Sequence, residues 1–229
     1  MIELALLQDV LQEPELIDWE WLKENFWEDI VPAVQGHIFL SVISVAVALV
    51  IALPVGILSA RYRKIYPPVT FVTGILYSIP SLALFAILIS IPGVAIGPTP
   101  VIIALVAYSL LILFRNMMEG FANVPAETRD AGRGMGLTQQ QLLWRVELPL
   151  ALPEIMAGLR IALTTTVGLA SLAFLAGAGG LGEALFDQIA FRSNVLVAGG
   201  LALLLAVALD LLVLGVQKAI TPWTRAVST

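Results

Sequence analysis

The sequence has no cysteine, a single histidine (His37) and few charged residues, which make up 13% of its 229 positions. Without thiols it can form neither a disulfide framework nor a thiolate metal site, and an isolated histidine predicts no other metal site. The nucleotide-binding pattern G-x-x-x-x-G-K-[ST] is missing, as are the hydrolase patterns G-x-S-x-G and H-E-x-x-H. We therefore predict a chain that is not an enzyme and carries no cofactor of its own.

The sequence is unusually rich in apolar residues. Hydrophobic residues make up 59% of the chain and the mean hydropathy is +0.94, whereas soluble domains average about 45–50% apolar and about 25% charged residues. A globule of this size cannot bury so much apolar surface in one core. The composition predicts an integral membrane protein in contact with lipid, and it excludes a soluble enzyme, a disordered tail and a nucleic-acid-binding protein.

Five apolar runs are each about as long as a helix must be to cross a hydrocarbon layer of about 30 Å. They lie at about 38–60, 68–91, 99–118, 157–177 and 195–217. The start of the fourth run is the most polar, since it contains Arg160 and three threonines. The pattern predicts an all-α membrane protein with about five transmembrane helices, and a sixth only if the N-terminal segment enters the bilayer.

The first 36 residues differ from the rest, so we divide the chain into residues 1–36 and a transmembrane part, 37–229. Nine of the 17 acidic residues lie within the first 29 positions, where Lys23 is the single basic residue. Leucines and tryptophans alternate with these acids, and tryptophans near a first span usually mark the headgroup level. We predict an acidic, amphipathic segment on the external face of the membrane, serving as a simple anchor or as a docking element.

The positions of lysine and arginine give the orientation. With five spans, ten of the 12 basic residues fall on one side: Arg61, Arg63, Lys64, Arg115, Arg129, Arg133, Arg145, Arg160, Lys218 and Arg225. Lys23 and Arg192 fall on the other side. The positive-inside rule then predicts an external N-terminus and a cytoplasmic C-terminus.

The longest predicted cytoplasmic stretch, about 119–156, begins with the signals of a short helix. Pro125 suits the first turn of a helix, and Glu127 and Asp130 favour its positive N-terminal end. Gly136 can adopt the left-handed conformation that ends a helix. These signals predict one helix between Pro125 and Gly136.

A second short helix is predicted directly after Gly136. Thr138 and Gln141 match the T-x-x-Q capping box, and we expect Pro149 to stop the helix. Its apolar face contains Leu142, Leu143 and Val146. An ordered helical hairpin with an apolar face on the cytoplasmic side predicts a partner protein there.

This hairpin resembles the EAA loop of ABC importer permeases, with the pattern E-A-A, three residues, G, nine residues, I-x-L-P. Asp130-Ala131-Gly132, Gly136 and Val146-Glu147-Leu148-Pro149 match that spacing at every step, with three mild substitutions. In that family the loop forms short coupling helices that sit in a groove of the ATPase subunit. The resemblance implies that the coupling residues are Glu127, Asp130, Ala131, Gly132, Gly136, Leu142, Val146, Leu148 and Pro149.

Further segments resemble the osmoprotectant branch of these permeases, which import glycine betaine, choline or carnitine. They are Ile79–Leu84, Arg115-Asn116, Gly134–Gly136, Leu148–Pro153 and Gly177–Gly182, and together they cover about 55–215. The resemblance implies the type I ABC importer permease fold, a prokaryotic cytoplasmic (inner) membrane, and a subunit that forms the path for a small osmoprotectant.

The resemblance also implies partners. These are two cytoplasmic ATP-binding subunits that carry ATP and Mg, a second permease copy or a homologue of it, and an external substrate-binding protein. Quaternary ammonium groups are held by aromatic cages, and no span concentrates aromatic residues. The resemblance therefore implies that such a cage lies on the separate binding protein.

Candidates for the transport path or its gate are Pro80, Ser81, Arg115, Gly179, Gly180 and Asp210. Pro80 and Ser81 interrupt the second span, where freed backbone groups either line the path or merely accompany a packing kink. The run Gly177–Gly182 permits tight turns at the external surface. It could act there as a gate, as a docking surface or as a simple turn.

Asp210 is an acid inside the fifth span. It shares a helical face with small residues at steps of four: Ala198, Ala202 and Ala206. A stripe of small residues favours close helix packing, so we expect Asp210 to face protein or a polar cavity instead of lipid. Arg115 lies at a similar depth on the third span, so we predict an Arg115–Asp210 pair, which would be structural or functional.

Two alternatives for the function stay open. A permease for another small solute, such as an amino acid, would carry the same loop. A secondary transporter or channel is less favoured, because the sequence shows no convincing internal repeat and only Asp210 lies well inside a span.

Overall fold

The computed structural model describes residues 16–187 and 190–223, and every regular element in them is helical. The helices are α1 (Trp19–Asn25), α2 (Val31–Arg61), α3 (Tyr66–Ser78), α4 (Ser81–Ile89), α5 (Pro98–Ala122), α6 (Ala126–Gly134), α7 (Gln139–Leu142), α8 (Leu148–Ala170), α9 (Leu181–Asp187) and α10 (Arg192–Ile220). Two π turns, Phe26–Ile30 and Leu143–Glu147, and a 3-10 turn at Ala173–Ala176 complete the set. The predicted all-α class is confirmed.

Three helical runs in the described residues are long and apolar enough to cross a membrane: Trp19–Arg61, Pro98–Ala122 and Arg192–Ile220. A fourth is the pair α3 and α4, if these two helices, bent by 93° at a short break, count as one span. The remaining predicted span corresponds to α8, which is 23 residues long but is not among the helices that are long and apolar enough by length and composition.

The N-terminal segment packs on the start of α10. The Asp18 carboxylate caps α1 by accepting the Trp21 N–H at 3.0 Å, and the Asp18 N–H donates to Ser193 Oγ at 2.8 Å. The Trp21 and Phe191 rings meet edge to face, with centroids 5.1 Å apart. Helical residues continue from Trp19 through position 36 into the first span. Residues 1–15 and Arg225 lie outside the described residues, and the external placement of 1–36 stays a prediction.

Helices α5 and α8 pack at very short distances in the centre of the bundle. A Cβ added to Gly158 would lie 2.5 Å from Asn116 Cβ, and one added to Gly120 would lie 2.8 Å from the Ala151 carbonyl oxygen. Where the two helices also face α2, their buried surfaces form an apolar cluster. This tight contact makes α5 and α8 one unit that connects the two ends of the bundle.

The bend between α3 and α4 lies at Ile79–Pro80. Pro80 lacks an N–H and is extended at ψ 137°, so α3 ends at Ser78 and α4 starts afresh at Ser81. The freed Ile79 carbonyl accepts a hydrogen bond from the Tyr108 hydroxyl at 2.6 Å. The predicted interruption of the second span is confirmed, and the freed carbonyl is satisfied within the protein.

Tyr108→Phe is expected to lower the free energy of unfolding by about 1–3 kcal/mol, because the Ile79 carbonyl loses its donor in apolar surroundings. Thermal unfolding in detergent should show a Tm that is lower by about 2–4 °C per kcal/mol. Tyr77→Phe is the matched control: Tyr77 meets the Tyr108 ring edge to face, but its hydroxyl makes no hydrogen bond within the described residues. A Tm for Tyr108→Phe equal to that of Tyr77→Phe would contradict the prediction.

Candidate functional site

The helical hairpin α6–α7 lies at one end of the bundle, and α6 ends in a complete Schellman motif. The Gly136 N–H donates to the Arg133 carbonyl at 2.9 Å, and the Leu137 N–H donates to the Gly132 carbonyl at 3.2 Å. Gly136 has φ +79°, so the predicted left-handed conformation is confirmed. Pro125 is the residue just before α6, one position earlier than a first-turn residue.

Helix α7 begins with the predicted capping box. The Gln141 N–H donates to Thr138 Oγ1 at 3.3 Å, while the Thr138 N–H donates to Gln141 Oε1 at 2.9 Å. These reciprocal bonds confirm the sequence signal. They fix the direction in which the chain leaves Gly136.

The two hairpin helices are held together by a glycine–leucine contact. A Cβ added to Gly132 would lie 2.7 Å from Leu142 Cδ1, and Leu142 is buried. Leu142 thus stabilises the hairpin from inside, while Met135 and Trp144 are the large apolar residues that it exposes. Sequence reasoning missed Trp144, although a position two residues after Leu142 on a helix points to the opposite face.

The expected stop at Pro149 is wrong. Helical residues continue from α7 through the π turn into α8, which starts at Leu148, and Pro149 lies in its first turn. The first turn of a helix does not need the missing N–H, so Pro149 is compatible with a start as well as with a stop. The Leu148 N–H donates a hydrogen bond to the Leu143 carbonyl and closes the π turn.

The structure places the nine predicted coupling residues in and beside this hairpin. Glu127, Asp130, Ala131 and Gly136 are exposed, Gly132 and Leu142 are buried, and Val146, Leu148 and Pro149 are half-buried where the hairpin joins α8. Asp130 forms an exposed ion pair with Arg133 at 3.0 Å within α6. The surface of the hairpin therefore combines charged side chains with the apolar Met135 and Trp144.

At the opposite end of the bundle, His37 joins three parts of the chain. It is fully buried near the start of α2, with Nε2 3.0 Å from the Val167 carbonyl of α8. Nδ1 accepts the Leu181 N–H at 3.3 Å, so Nε2 carries the proton that is donated to Val167. His37 thus fixes the first residue of α9.

The glycine run before α9 turns with positive φ at three positions: Gly177 (67°), Gly179 (71°) and Gly180 (87°). The expectation that it permits tight turns is confirmed. Gly179 and Gly180 border a cleft of about 610 Å³ between this run and the N-terminal segment. Among the residues lining the cleft are Trp21, Glu28, Asp29 and Glu183, and none is basic.

The predicted Arg115–Asp210 pair is wrong, because Asp210 pairs with Arg160 of α8. Both bonds of this bidentate pair, from Arg160 Nε and Nη2 to the two carboxylate oxygens, are 2.7 Å long. The two helices are antiparallel, so the start of α8 and the end of α10 lie on the same side of the bundle. Arg160 is 12 residues from the start of α8, about 18 Å, and Asp210 is 10 residues from the end of α10, about 15 Å. The two side chains are therefore at similar heights. Arg115 is exposed and has no ion-pair partner in the described residues.

Charge differs between the two ends of the bundle. Arg61 at the end of α2 and Arg63 and Lys64 just beyond it lie on the hairpin side, and the hairpin adds further arginines. The opposite end carries two basic residues, Lys23 and Arg192, and a larger number of acidic ones: Asp18, Glu20, Glu24, Glu28, Asp29 and Glu183. In the described part of the chain, no group of three His, Cys, Asp or Glu residues has the geometry to hold a metal ion.

Comparison with known proteins agrees with this geometry. The family model described as "Binding-protein-dependent transport system inner membrane component" matches residues 52–226. The osmoprotectant import permease protein OsmW of Salmonella typhimurium is 39% identical over 81% of this chain and 89% of that protein. The glycine betaine/carnitine/choline transport system permease protein OpuCD of Bacillus subtilis is 38% identical over 81% and 82%.

A solved structure of the MetNI methionine ABC transporter, from a study of its inward-facing conformations, contains a similar chain. Its TM-score is 0.68 at 28% identity, over 84% of this chain and 94% of that chain. The type I ABC permease fold implied by the EAA-like hairpin is thereby confirmed. The family match includes α5, the hairpin, α8 and α10. The chain therefore belongs to the family of binding-protein-dependent transport system inner membrane components, the permeases of ABC importers.

Proposed function

We propose that this permease forms the path for a small osmoprotectant of the quaternary ammonium type, such as glycine betaine or choline. The observation that carries the substrate class is the 38–39% identity to osmoprotectant permeases over 81% of the chain. A methionine transporter chain is 28% identical, so an amino acid is the second candidate substrate.

Two cytoplasmic ATPase subunits, which bind ATP and Mg, drive transport through the α6–α7 hairpin. The Schellman motif, the capping box and the contact between Gly132 and Leu142 support this role, because they make the hairpin an ordered body. Met135 and Trp144 are exposed on it. Apolar side chains on an ordered surface motif favour contact with a partner protein.

The hairpin faces the cytoplasm, so the N-terminus is external and the C-terminus is cytoplasmic. The contrast between a basic end and an acidic end supports this orientation, because cytoplasmic loops carry an excess of lysine and arginine. An external binding protein delivers the substrate at the acidic end. Residues 1–36 form the external segment of the chain.

A second permease, identical or homologous, faces α8 and α10 and encloses the path. The Arg160 and Asp210 side chains are 31% and 26% exposed in the isolated chain. Charged groups inside spans face protein or water-filled cavities instead of lipid, which favours a second subunit or the path on this face. The remaining path candidates are Pro80, Ser81, Arg115, Gly179 and Gly180.

Reconstitution tests the function. The chain is co-expressed with the ATPase subunit of an osmoprotectant importer, purified as a complex and placed in liposomes with a binding protein. We expect ATP hydrolysis to be stimulated by the binding protein loaded with glycine betaine, choline or carnitine. Stimulation by a methionine-loaded binding protein alone would show an amino acid permease, and a chain that never binds an ATPase subunit would contradict the coupling role.

Gly136→Val is expected to uncouple ATP hydrolysis from transport. No atom lies within 4 Å of a Cβ added at Gly136, so the cost comes from the left-handed backbone, which a β-branched residue adopts only at about 1–3 kcal/mol. The hairpin should change shape. The stimulation of ATP hydrolysis by the substrate-loaded binding protein should then fall about tenfold, while the amount of the protein inserted in the membrane stays unchanged.

Two matched variants isolate this conformational effect. Gly136→Asn should stay coupled, because asparagine tolerates the left-handed region. Gly134→Ala should also stay coupled, because Gly134 is helical and equally free of neighbours. Normal coupling in Gly136→Val, or equal loss in Gly136→Asn, would refute the role of this turn.

A further inference from the structure

Arg129 lies in the middle of α6, but its side chain turns toward the bundle. Its side chain is 26% exposed, whereas that of Arg133, one turn later on the same helix, is 63% exposed. Neither the EAA-like pattern nor the helix signals single out Arg129. Its contacts lie on two other helical segments.

The first contact joins α6 to the base of α8. Arg129 Nε donates to Glu147 Oε1 at 2.9 Å, and Glu147 ends the π turn that leads directly into α8. The Glu147 side chain is 20% exposed. Partial burial of both partners weakens screening by solvent, so this pair is stronger than an ordinary surface ion pair.

The second contact joins α6 to the end of α5. Arg129 Nη2 donates to the Phe121 carbonyl in the last turn of α5. Carbonyls in the last turn of a helix lack partners within the helix, and a cation there is also favoured by the helix dipole. One guanidinium group therefore ties α6 to both members of the closely packed pair α5 and α8.

Apart from Arg129, α6 is connected to its neighbours by two turns and by the contact of Gly132 with Leu142. Asn123–Pro125 links it to α5, and the turn around Gly136 links it to α7. Among the described residues, Arg129 is the α6 residue whose side chain hydrogen-bonds to the end of α5 and to the π turn before α8, so without it α6 can shift together with α7 relative to those segments. Arg129 contacts Phe121, the residue after Gly120, and Glu147, four residues before Ala151. Gly120 and Ala151 are themselves in close contact between α5 and α8.

We infer that Arg129 is a positioning residue that transmits displacement of α6 to α5 and α8, so that movement of the ATPase subunits reaches the path. This inference rests on the proposed coupling role of the hairpin. Arg129 itself need not touch the ATPase. Replacing Arg129 should leave the ATPase subunits bound and their basal ATP hydrolysis unchanged, while α5 and α8 no longer move when α6 is displaced.

The first test uses the reconstituted complex with a glycine betaine-loaded binding protein. Arg129→Gln and Glu147→Gln should each lower the ratio of stimulated to basal hydrolysis about fivefold or more. The double variant should be no worse than Arg129→Gln alone, because both changes remove one interaction. Arg129→Lys should be intermediate, since a single ammonium group lacks the planar fork that reaches both acceptors.

Arg63→Gln is the matched control. It removes the same charge from an exposed residue on the same side of the bundle, outside the hairpin. The ratio of stimulated to basal ATP hydrolysis should equal that of the wild type. A merely structural role for Arg129 would lower the yield of assembled complex without changing the ratio within it. If Arg129→Gln does not assemble, Arg129→Lys and Glu147→Gln decide, and normal ratios in both overturn the inference.

A second readout needs no substrate. Because the chain has no cysteine, Ile161→Cys on an exposed position of α8 can carry a single environment-sensitive fluorophore. ATP binding to the complex should shift its emission in the wild-type background and not with Arg129→Gln. A wild type that glycine betaine does not stimulate contradicts the proposed substrate, whereas equal emission shifts in both backgrounds overturn the inference about Arg129.

Discussion

Asp210→Asn is expected to destabilise the folded protein by about 3 kcal/mol, the cost of a charged side chain left without a partner inside a span. The substitution removes the negative charge opposite the Arg160 guanidinium and replaces one carboxylate oxygen by an NH2 donor, so at most one of the two 2.7 Å bonds can remain. Thermal unfolding of the purified subunit in detergent, together with the yield of folded protein from membranes, measures the loss.

A rescue experiment identifies the partner of Asp210. Combining Asp210→Asn with Arg160→Gln removes both charges and should recover most of the stability, because it is the unpaired ion that is costly. Combining Asp210→Asn with Arg115→Gln should recover none of it. Rescue by the change at Arg115 instead of the change at Arg160 would refute the pairing between α8 and α10.

Gly182→Ala is expected to have the second largest effect. A Cβ at this position would lie 1.8 Å from the Ser171 carbonyl oxygen and 2.5 Å from its carbon. These are backbone atoms at the end of α8, so α9 must move away by more than 1 Å. That shift breaks the hydrogen bond from the Leu181 N–H to His37, and overpacking of this kind costs about 3 kcal/mol.

Gly168→Ala provides the comparison for Gly182→Ala. Gly168 lies one turn before Ser171 on α8, and no atom lies within 4 Å of a Cβ added there. The change should leave the Tm unchanged or raise it, since alanine favours a helix over glycine by up to about 1 kcal/mol. A Gly182→Ala protein as stable as the Gly168→Ala protein would contradict the close contact between α8 and α9.

Local signals in the sequence predicted local structure well. The left-handed turn at Gly136, the capping box at Thr138 and the break at Pro80 each depend on a few neighbouring residues, so the sequence contains what decides them. Pro149 shows the limit of such signals, because a proline that ends one helix has the same local pattern as one that starts the next.

Contacts between helices could not be predicted in this way. Helix rise gave similar depths for Arg115 and Asp210, but depth does not fix how a helix rotates about its axis or which neighbour it meets. Asp210 faces α8, where Arg160 lies at a matching height. The contact of Arg129 with Glu147 was missed for the same reason, since the two residues are 18 positions apart and are brought together only by the fold of the hairpin.

The uninterrupted helical run from Trp19 to Arg61 has 43 residues, which corresponds to a rod about 64 Å long. A bilayer including its headgroups is about 40–45 Å thick, and even a tilt of about 40° lengthens the crossing to only about 55 Å. The rod is thus longer than the membrane it crosses. With Arg61 placed at one surface, this length predicts that the acidic turns around Glu20 and Glu24 lie in water beyond the opposite headgroups, within direct reach of a soluble protein that approaches the permease.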